Sequence, residues 1–339
     1  MAEALAEDVL RLRGLVTQYF VSRALYAVAV LDVAGSLARG PTSMEEIAVA
    51  CGAHAPSLYR ILRVLAAAGV FVELDGGRFA NTPPSELLRG DAPGSLRDFV
   101  LLFGHETSWR SWEGILHAAR TGEAPFEHIY GGKFFDYLQG HPKAAAMFDR
   151  AMASASTTTN AAVVDAYDFR GLGLVVDVAG GTGSALCSML DAAPALRGIV
   201  FDLPHVAQRA REFIEGRGLG RRCEFVAGSF FETVPGGADA YFMKHILHDW
   251  GDTDCARILA VCRTAMADAS RLLVCERIVP EGNESSSAKL IDLHMLMTNH
   301  GGRERTEAEY RTLLAGAGFD VQRIVPTGTP WSVIEATPR

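Results

Sequence analysis

Hydrophobic residues in the first third of the chain recur at helical spacing, beginning with Leu5, Val9, Leu12, Val16 and Phe20. A hydroxyl cap followed by acidic residues predicts a second helix at residues 42–48. A third is predicted from Pro56 to Gly69. Two short extended segments, residues 70–74 and 78–81, then flank a strong hairpin signal, Asp75-Gly76-Gly77. This order of elements is that of a winged helix-turn-helix.

The charge of this segment decides between two interpretations of it, DNA binding and packing. Residues 41–90 contain four basic side chains and five acidic ones. A recognition helix needs more positive charge than this to hold a phosphate backbone. The segment is therefore predicted to be a packing or dimerisation module.

Residues 93–160 read as helical and are rich in aromatic side chains. These are Phe99, Phe103, Trp109, Trp112, Phe126, Tyr130, Phe134, Phe135, Tyr137 and Phe148, with Met147 and Met152 interleaved. Such a cluster serves equally well as a core or as the wall of a pocket for a flat ligand. Both interpretations stay open at this point.

The hydrophobic period changes after Tyr167, where short buried runs begin to alternate with helical stretches. The predicted strands are residues 174–178, 199–202, 223–226, 240–243 and 272–276. This alternation predicts an α/β fold with a Rossmann-like, doubly wound parallel sheet. A capping box at residues 306–309 opens a late helix, and residues 321–325 and 332–336 are predicted to form a closing hairpin.

A glycine loop lies between the first of these strands and the helix after it. It contains Asp177, Gly180, Gly181 and Gly183, and Asp202 ends the next strand, where a carboxylate can accept ribose hydroxyls. Leu186 stands where a dinucleotide site has its third glycine, and no Walker lysine follows. An acidic residue at the head of the loop would repel a pyrophosphate but suits an ammonium group. The loop therefore favours S-adenosylmethionine over NAD.

Two histidines, His245 and His248, follow the fourth predicted strand of the sheet. Ligands of doubly wound sheets bind at the carboxyl ends of strands. A metal site is one interpretation, but no third ligand cluster is near in sequence. A structural histidine is a second. A general base is a third, since an unperturbed histidine has a pKa of about 6.5.

Composition excludes several classes of protein. The 339 residues are 49% hydrophobic and 21% charged, with a formal charge of −8, which argues against disorder and against nucleic acid as a partner. Six cysteines show no zinc-ligand spacing, so no disulfide and no metal are expected. The first eight residues carry three acidic and no basic side chains, unlike a secretory signal. No apolar run is long enough for a membrane span, so a cytoplasmic protein without membrane contact is predicted.

Four segments together resemble the caffeate-type and bacterial polyketide-type O-methyltransferases, which use S-adenosylmethionine. They are residues 177–183, 201–206, 244–250 and 301–306, in the order and spacing of that family. The resemblance covers nearly the whole chain. It implies a dimerisation domain at residues 1–92, a helical connector at 93–160 that lines the substrate pocket, and a catalytic domain at 161–339. It also implies a homodimer and an aromatic or polyketide-like acceptor in secondary metabolism.

The resemblance also assigns roles to individual residues. His248 matches the general base, and Glu276 and Glu304 match the glutamates that orient it. Arg303 and Arg305 are expected to be surface or salt-bridge residues. The cofactor, released as S-adenosylhomocysteine, is expected to contact the following residues: Asp177, Gly180, Gly181, Gly183, Asp202, Ser229, Phe230, Lys244 and Trp250. The acceptor is expected to contact Met152, Asp249, Met295 and Asn299.

Two positions depart from the family pattern. Ala179 replaces the first glycine of the loop, which we expect to be a mild change. Ser229 stands where the family usually has an aspartate for the adenine amino group. An uncharged acceptor there leaves open a family member that has moved to decarboxylation, hydroxylation or a pericyclic step. The leading hypothesis is thus an O-methyltransferase, and the second is a family member with a non-methylating reaction. A winged-helix transcription factor is the third, and the charge count of residues 41–90 disfavours it.

Overall fold

A computed structural model describes the backbone of residues 2–339 and the side chains of residues 5–157 and 159–339. The chain forms two compact units. The first comprises Met1–Trp109 and Lys143–Ala155, and the second comprises Arg110–Pro142 and Ser156–Arg339. The predicted connector at residues 93–160 is thus divided between the two units.

The first unit is helical with a small antiparallel sheet. Its helices are α1 (Ala2–Val30), α2 (Val33–Ser36), α3 (Met44–Cys51), α4 (Ala55–Ala67), α5 (Pro83–Glu86) and α6 (Arg97–Gly104). Its strands, paired in the order β1-β3-β2, are β1 (Thr42–Ser43), β2 (Phe71–Leu74) and β3 (Arg78–Asn81). Ser43 and Glu46 form a capping box that starts α3. The predicted helices and hairpin are present, and β1 is an additional strand.

One face of α1 carries large apolar side chains that the unit itself does not bury. Leu5, Leu12 and Val16 are 66%, 64% and 64% exposed, and Tyr19 and Phe20 are each 52% exposed. Helical spacing predicted the helix correctly. The same spacing did not indicate where its apolar face would be covered.

The second unit is built on a seven-stranded sheet. Its strands are β4 (Leu174–Val178), β5 (Arg197–Asp202), β6 (Cys223–Ala227), β7 (Ala240–Lys244), β8 (Arg271–Arg277), β9 (Phe319–Pro326) and β10 (Trp331–Pro338). They pair in the order β6-β5-β4-β7-β8-β10-β9, with the first five parallel and β10 antiparallel to both neighbours. The Rossmann-like sheet and the closing hairpin are as predicted. The hairpin is reversed in space, so that β10 lies next to β8.

Helices cover both faces of this sheet. Those that pack on it are the C-terminal part of α11 (Pro142–Ala166), α12 (Ser184–Ala192), α13 (Ala207–Gly216), α14 (Asp252–Ala265) and α16 (Glu307–Gly316). The second unit also contains α8 (Ile115–Thr121), α9 (Pro125–Tyr130), α10 (Phe134–Gly140) and α15 (Ser287–Thr298). Two helices, α7 (Glu106–Glu113) and α11, are divided between the units. Two 3-10 helices, Pro204–Val206 and Leu247–Asp249, follow β5 and β7. Separate hydrophobic cores lie on the two faces of the sheet.

The strand order places a topological switch at β4, which has β5 on one side and β7 on the other. In open α/β sheets the crevice at such a switch is where ligands bind. Leu186, in the first turn of α12, packs against Gly198 near the start of β5, where an added Cβ would lie 2.5 Å from a Leu186 methyl. A glycine on the strand therefore allows the close helix–strand contact that a third loop glycine would otherwise provide.

Two further observations concern the helices and the cysteines. No helix in the described part of the chain is both long and apolar enough to cross a membrane. All six cysteines are free thiols, five of them buried.

Candidate active site

The glycine loop connects β4 to α12 through three left-handed residues, Ala179 (φ 55°), Gly181 (φ 58°) and Gly183 (φ 79°). A side chain on Gly180 would collide with Asp177, because an added Cβ would lie 2.6 Å from the carboxyl carbon. Ala179 was expected to be a mild replacement for glycine. In the left-handed region an L-residue costs about 1 to 2 kcal/mol, so this alanine strains the loop.

Asp202 fastens the loop to the end of β5. Its Oδ2 accepts a hydrogen bond from the Gly181 N–H at 2.8 Å, and its Oδ1 accepts one from the Leu203 N–H at 2.6 Å. The carboxylate thus lies beside the loop glycines at the carboxyl end of its strand. Asp202 and these glycines, all predicted to bind the cofactor, are brought together.

Asp177 and Lys244 bring opposite charges to the ends of adjacent strands. Asp177 is 2% exposed, and burial raises its pKa to about 7. Its Oδ2 has no hydrogen-bond partner among the described residues. Lys244 donates to Asn160 Oδ1 at 2.6 Å, and burial lowers the pKa of this lysine. An unsatisfied buried carboxylate oxygen is a place where a ligand donor or cation would be stabilised.

Aromatic side chains surround Trp250, which follows β7. Trp250 has its ring edge-on to Phe230 at 6.0 Å and to Phe231 at 4.8 Å between centroids. Phe135 of α10 is stacked with Trp250 at 6.2 Å. Ser229 accepts a 3.3 Å hydrogen bond from the Phe231 N–H. Phe230, Trp250 and Ser229, predicted to surround the adenine, are therefore neighbours.

His248 lies in the turn that follows β7, residues 246–250, called here the histidine turn. His248 is 7% exposed, and its Nδ1 is 2.9 Å from Glu304 Oε1. An ionised carboxylate only accepts, so this contact places a hydrogen on Nδ1, and in the neutral ring Nε2 is then the basic atom. Asp249 Oδ1 is 3.7 Å from Nε2.

The two glutamates differ in what they hold. Glu304 contacts the imidazole directly, whereas Glu276 Oε1 accepts the backbone N–H groups of Ile246 and Leu247, each at 2.9 Å. The other oxygen of Glu276 is 3.9 Å from His248 Nδ1. Glu276 therefore anchors the backbone of the histidine turn, and Glu304 orients the ring.

The electrostatics of His248 differ from those of an ordinary histidine. Burial alone would lower its pKa, but the three surrounding carboxylates outweigh burial and raise the pKa to about 10. Burial also raises the pKa of Glu276 to about 7 and that of Asp249 to about 6. The expectation that His248 has the unperturbed histidine pKa of about 6.5 is therefore wrong. The cluster retains protons at neutral pH.

Arginines complete the cluster. Arg277 Nη1 is 3.4 Å from Glu304 Oε1, the oxygen that also faces His248. Arg303 is partly exposed and pairs with Asp252 and Glu309, as expected. Arg305 also pairs with Asp252, so the expected salt bridge is present, but it is fully buried and is not a surface residue. Sequence reasoning missed Arg277, whose only signal was its position directly after Glu276.

The donor set of His248, Glu276 and Glu304 could also bind a metal ion, since one ligand atom from each lies within 4.8 Å of the others. The direct hydrogen bond between His248 and Glu304 accounts for the same spacing without an ion. The spacing by itself therefore does not identify a metal site.

The predicted acceptor residues are only partly brought together. Asn299 Nδ2 donates to Asp249 Oδ1 at 2.5 Å and lies 3.9 Å from the Met295 sulfur. Asn299 and Glu304 line a cavity of about 580 Å³. Met152 belongs to the first unit, and its predicted contact with the acceptor stays a prediction.

The aromatic residues of the predicted connector take different positions. Phe126 is fully buried and packs against its neighbours Tyr130 and Phe134, as a core residue would. Trp112 instead stacks on His294 of α15, with ring centroids 6.3 Å apart. The core interpretation therefore holds for Phe126, and a pocket-lining role for the other aromatic residues stays a prediction.

Known proteins match this chain along most of its length. The O-methyltransferase domain family matches residues 112–320, and the O-methyltransferase dimerisation domain matches residues 14–91. Phenazine O-methyltransferase PhzM of Lysobacter antibioticus is 42% identical over 324 residues, 96% of this chain and 94% of that protein. The mitomycin biosynthesis 6-O-methyltransferase of Streptomyces lavendulae is 42% identical over 316 residues, 93% of this chain and 90% of that protein.

Solved structures of O-methyltransferases are also similar to this chain. The crystal structure of LaPhzM superposes with a TM-score of 0.92 at 41% identity, covering 99% of both chains. NcsB1, an O-methyltransferase crystallised with S-adenosylmethionine and 2-hydroxy-5-methyl naphthoic acid, has a TM-score of 0.78 at 35% identity and covers 94% of this chain and 96% of its own. The chain therefore belongs to the S-adenosylmethionine-dependent O-methyltransferases, as its motifs indicated.

The similar proteins also include nitrogen methyltransferases. The 8-amino-8-demethylriboflavin N,N-dimethyltransferase of Streptomyces davaonensis is 34% identical over 319 residues, 93% of this chain and 91% of that protein. Family membership alone therefore does not decide whether the methyl acceptor is an oxygen or a nitrogen atom.

Proposed function

We propose that this enzyme transfers a methyl group to a hydroxyl of an aromatic or polyketide-like small molecule in secondary metabolism, with His248 as general base. The observation that carries the proposal is the 2.9 Å contact between His248 Nδ1 and Glu304, beside the glycine loop at the carboxyl ends of the strands. It fixes the tautomer whose Nε2 can take a proton from a bound hydroxyl.

The glycine loop fits S-adenosylmethionine by charge. Asp177 offers an unsatisfied, buried carboxylate oxygen where the ammonium group needs a partner, and Asp202 offers carboxylate oxygens to the ribose. Phe230 and Trp250 provide apolar faces for the adenine. When bound, this cofactor supplies a methyl group on a positively charged sulfur, already activated for displacement by an oxygen nucleophile.

The protein's own task is then to position the hydroxyl and to move its proton. His248 Nε2 takes the proton, and Glu304 stabilises the imidazolium that forms. Because His248 has a pKa of about 10, the imidazole form is scarce at neutral pH and increases as the pH rises. Most of the rate would come from holding acceptor and methyl donor in line.

The acceptor side is assigned to Asp249, Met295 and Asn299, together with the aromatic residues near α15. Aromatic acceptors are consistent with NcsB1, which was crystallised with a hydroxynaphthoic acid. Oxygen is favoured over nitrogen because a hydroxyl must lose a proton to become a strong nucleophile. A base buried between two glutamates meets that requirement.

We also assign the exposed apolar face of α1 to a homodimer interface. The O-methyltransferase dimerisation domain begins at residue 14, within this helix. Leu12, Val16 and Phe20 are each more than half exposed, which is typical of a surface that a partner covers. Changing Leu12 and Val16 together to Asp should convert the dimer to a monomer in light scattering. Val49→Asp, at an exposed apolar position outside α1, is the control.

The experiment that tests the proposed reaction supplies S-adenosylmethionine and a panel of phenols, hydroxyquinones and aromatic amines to the purified enzyme. Mass spectrometry should find S-adenosylhomocysteine and an O-methylated product. His248→Gln should lower kcat at least 100-fold, since general bases contribute about 10² to 10⁴ in rate, with cofactor affinity within threefold. The exposed His300→Gln is the matched control.

Three outcomes would contradict the proposal. Full activity in His248→Gln would remove this residue as the base. Methylation confined to amines would make the enzyme a nitrogen methyltransferase. Cofactor binding without transfer to any acceptor would favour the non-methylating alternative.

A further inference from the structure

Arg305 is a fully buried arginine whose guanidinium faces the histidine turn rather than solvent. Its Nη1 donates to the Leu247 carbonyl at 2.8 Å, and its Nη2 donates to the Trp250 carbonyl at 2.9 Å. These carbonyls bracket His248 and Asp249 in the sequence. One rigid, forked side chain therefore fixes both ends of the segment that carries the base.

The same arginine is fixed at its own backbone and by its charge. Arg305 forms a parallel bridge with Ile278, and its carbonyl accepts the Val279 N–H at 2.9 Å, which joins the segment to the continuation of β8. Asp252 Oδ1 accepts from its Nη2 at 2.7 Å and from its Nε at 3.1 Å. Burial lowers the pKa of this arginine, but the partners around it outweigh burial and raise the pKa overall.

The glycine at 302 supports the histidine turn from the same segment. A Cβ added to Gly302 would lie 2.9 Å from the His248 carbonyl oxygen and 3.0 Å from that of Asp249. The backbone at residue 302 can therefore approach the turn only because it has no side chain. Glu276 accepts hydrogen bonds from N–H groups of the turn, and Arg305 donates to its carbonyls. The backbone of the histidine turn is therefore held through both kinds of group.

We propose that Arg305 is a positioning residue for the methyl transfer: by holding the Leu247 and Trp250 carbonyls, it keeps the His248 ring aligned with Glu304. The inference rests on the proposed function of His248. Arg305 reaches Trp250, a predicted cofactor residue, only at its backbone carbonyl, and it therefore acts through the turn. A role confined to stability would lower the free energy of unfolding without changing the His248–Glu304 contact in the folded enzyme.

The test compares Arg305→Lys with Arg222→Lys. Arg222 is a matched control because its Nη1 also donates to backbone carbonyls, those of Leu190, Ala193 and Leu196, away from the histidine turn. Three quantities are measured on each folded variant: kcat, the dissociation constant for S-adenosylmethionine, and the NMR resonance of the His248 Nδ1 proton.

We expect Arg305→Lys to lower kcat at least tenfold, to keep cofactor affinity within threefold, and to shift the Nδ1 proton resonance upfield. A lysine ammonium cannot span two carbonyls as the guanidinium does. Arg222→Lys should lose thermal stability and keep both kcat, within twofold, and the resonance. If Arg305→Lys does not fold, Gly302→Ala replaces it in the test. The added methyl group would displace the histidine turn without changing a charge, and kcat should again fall at least tenfold.

Two results would overturn the inference. One is a folded Arg305→Lys enzyme with kcat within twofold of the wild type or with an unchanged His248 resonance. The other is an equal loss of kcat in Arg222→Lys. If the wild type transfers no methyl group, the proposed function fails, and the Nδ1 resonance still decides whether Arg305 aligns His248.

Discussion

Replacing Glu304 by glutamine should move the pH dependence of methyl transfer to lower pH. Glutamine keeps an oxygen that can accept from His248 Nδ1 but removes the negative charge now 2.9 Å away. His248 is then surrounded by two carboxylates instead of three. Its protonated form is less stabilised, so it becomes neutral at a lower pH.

The size of the effect follows from the pKa of His248. The environment raises that pKa from 6.5 to about 10, which corresponds to about 5 kcal/mol at 1.36 kcal/mol per pH unit. If the three carboxylates share this stabilisation, losing one removes about 2 kcal/mol, or roughly 1 to 2 pH units. In the wild type, log kcat should rise with a slope near one and level off near pH 10. In Glu304→Gln the plateau should begin about 1 to 2 pH units lower.

The assay is a pH profile of the single-turnover rate at saturating cofactor, with His248 titrated by NMR in the absence of acceptor. A stability measurement gives an independent check. A histidine with a raised pKa stabilises the fold fully below its unfolded value of 6.5, and that contribution is lost as the pH rises toward about 10. The free energy of unfolding should therefore fall less between pH 6 and 10 in Glu304→Gln than in the wild type. A wild-type plateau near pH 6.5, or identical profiles in the two proteins, would refute the reasoning.

Three further changes test other parts of the site. Asp202→Ala should weaken cofactor binding about 10- to 100-fold in calorimetry, because a charged acceptor beside Gly181 is lost; unchanged affinity would place the ribose elsewhere. Ala179→Gly should raise the free energy of unfolding by about 1 kcal/mol in urea, since its left-handed backbone favours glycine. Glu276→Ala should lower it by about 2 to 4 kcal/mol by leaving two buried N–H groups unpaired, whereas exposed Glu284→Ala should stay within about 0.5 kcal/mol.

Much of the fold could be predicted from local pattern. Buried runs followed by helices determine a parallel sheet, and a glycine loop after a strand determines where the ligand site falls. Asp202 and Gly181 could be placed at the ligand site because each lies at or just after a strand end that the topology brings to one edge, whereas the role of His248 was implied by the family resemblance. The insertion of β10 between β8 and β9 could not be predicted, because a hairpin looks the same in sequence whichever of its strands meets the sheet.

The distribution of roles within the site was also beyond sequence reasoning. Glu276 and Glu304 are both expected to flank His248, but only coordinates show that one binds the backbone and the other the ring. Arg303 and Arg305 are alternate residues of one extended segment and look equivalent in the sequence. In the structure Arg305 is buried and Arg303 is partly exposed. This difference depends on contacts with residues that are distant along the chain.

The position of β10 also bears on how the enzyme folds. Ser332 of this strand lies opposite Glu276, and Trp331 lies opposite Arg277. Both partners on β8 are synthesised well before the strand that covers them. Until β10 inserts, a nascent chain presents an open edge of β8 beside buried charges, and such edges invite pairing with other chains. The cluster around His248 should therefore be among the last regions to form, after synthesis of β10.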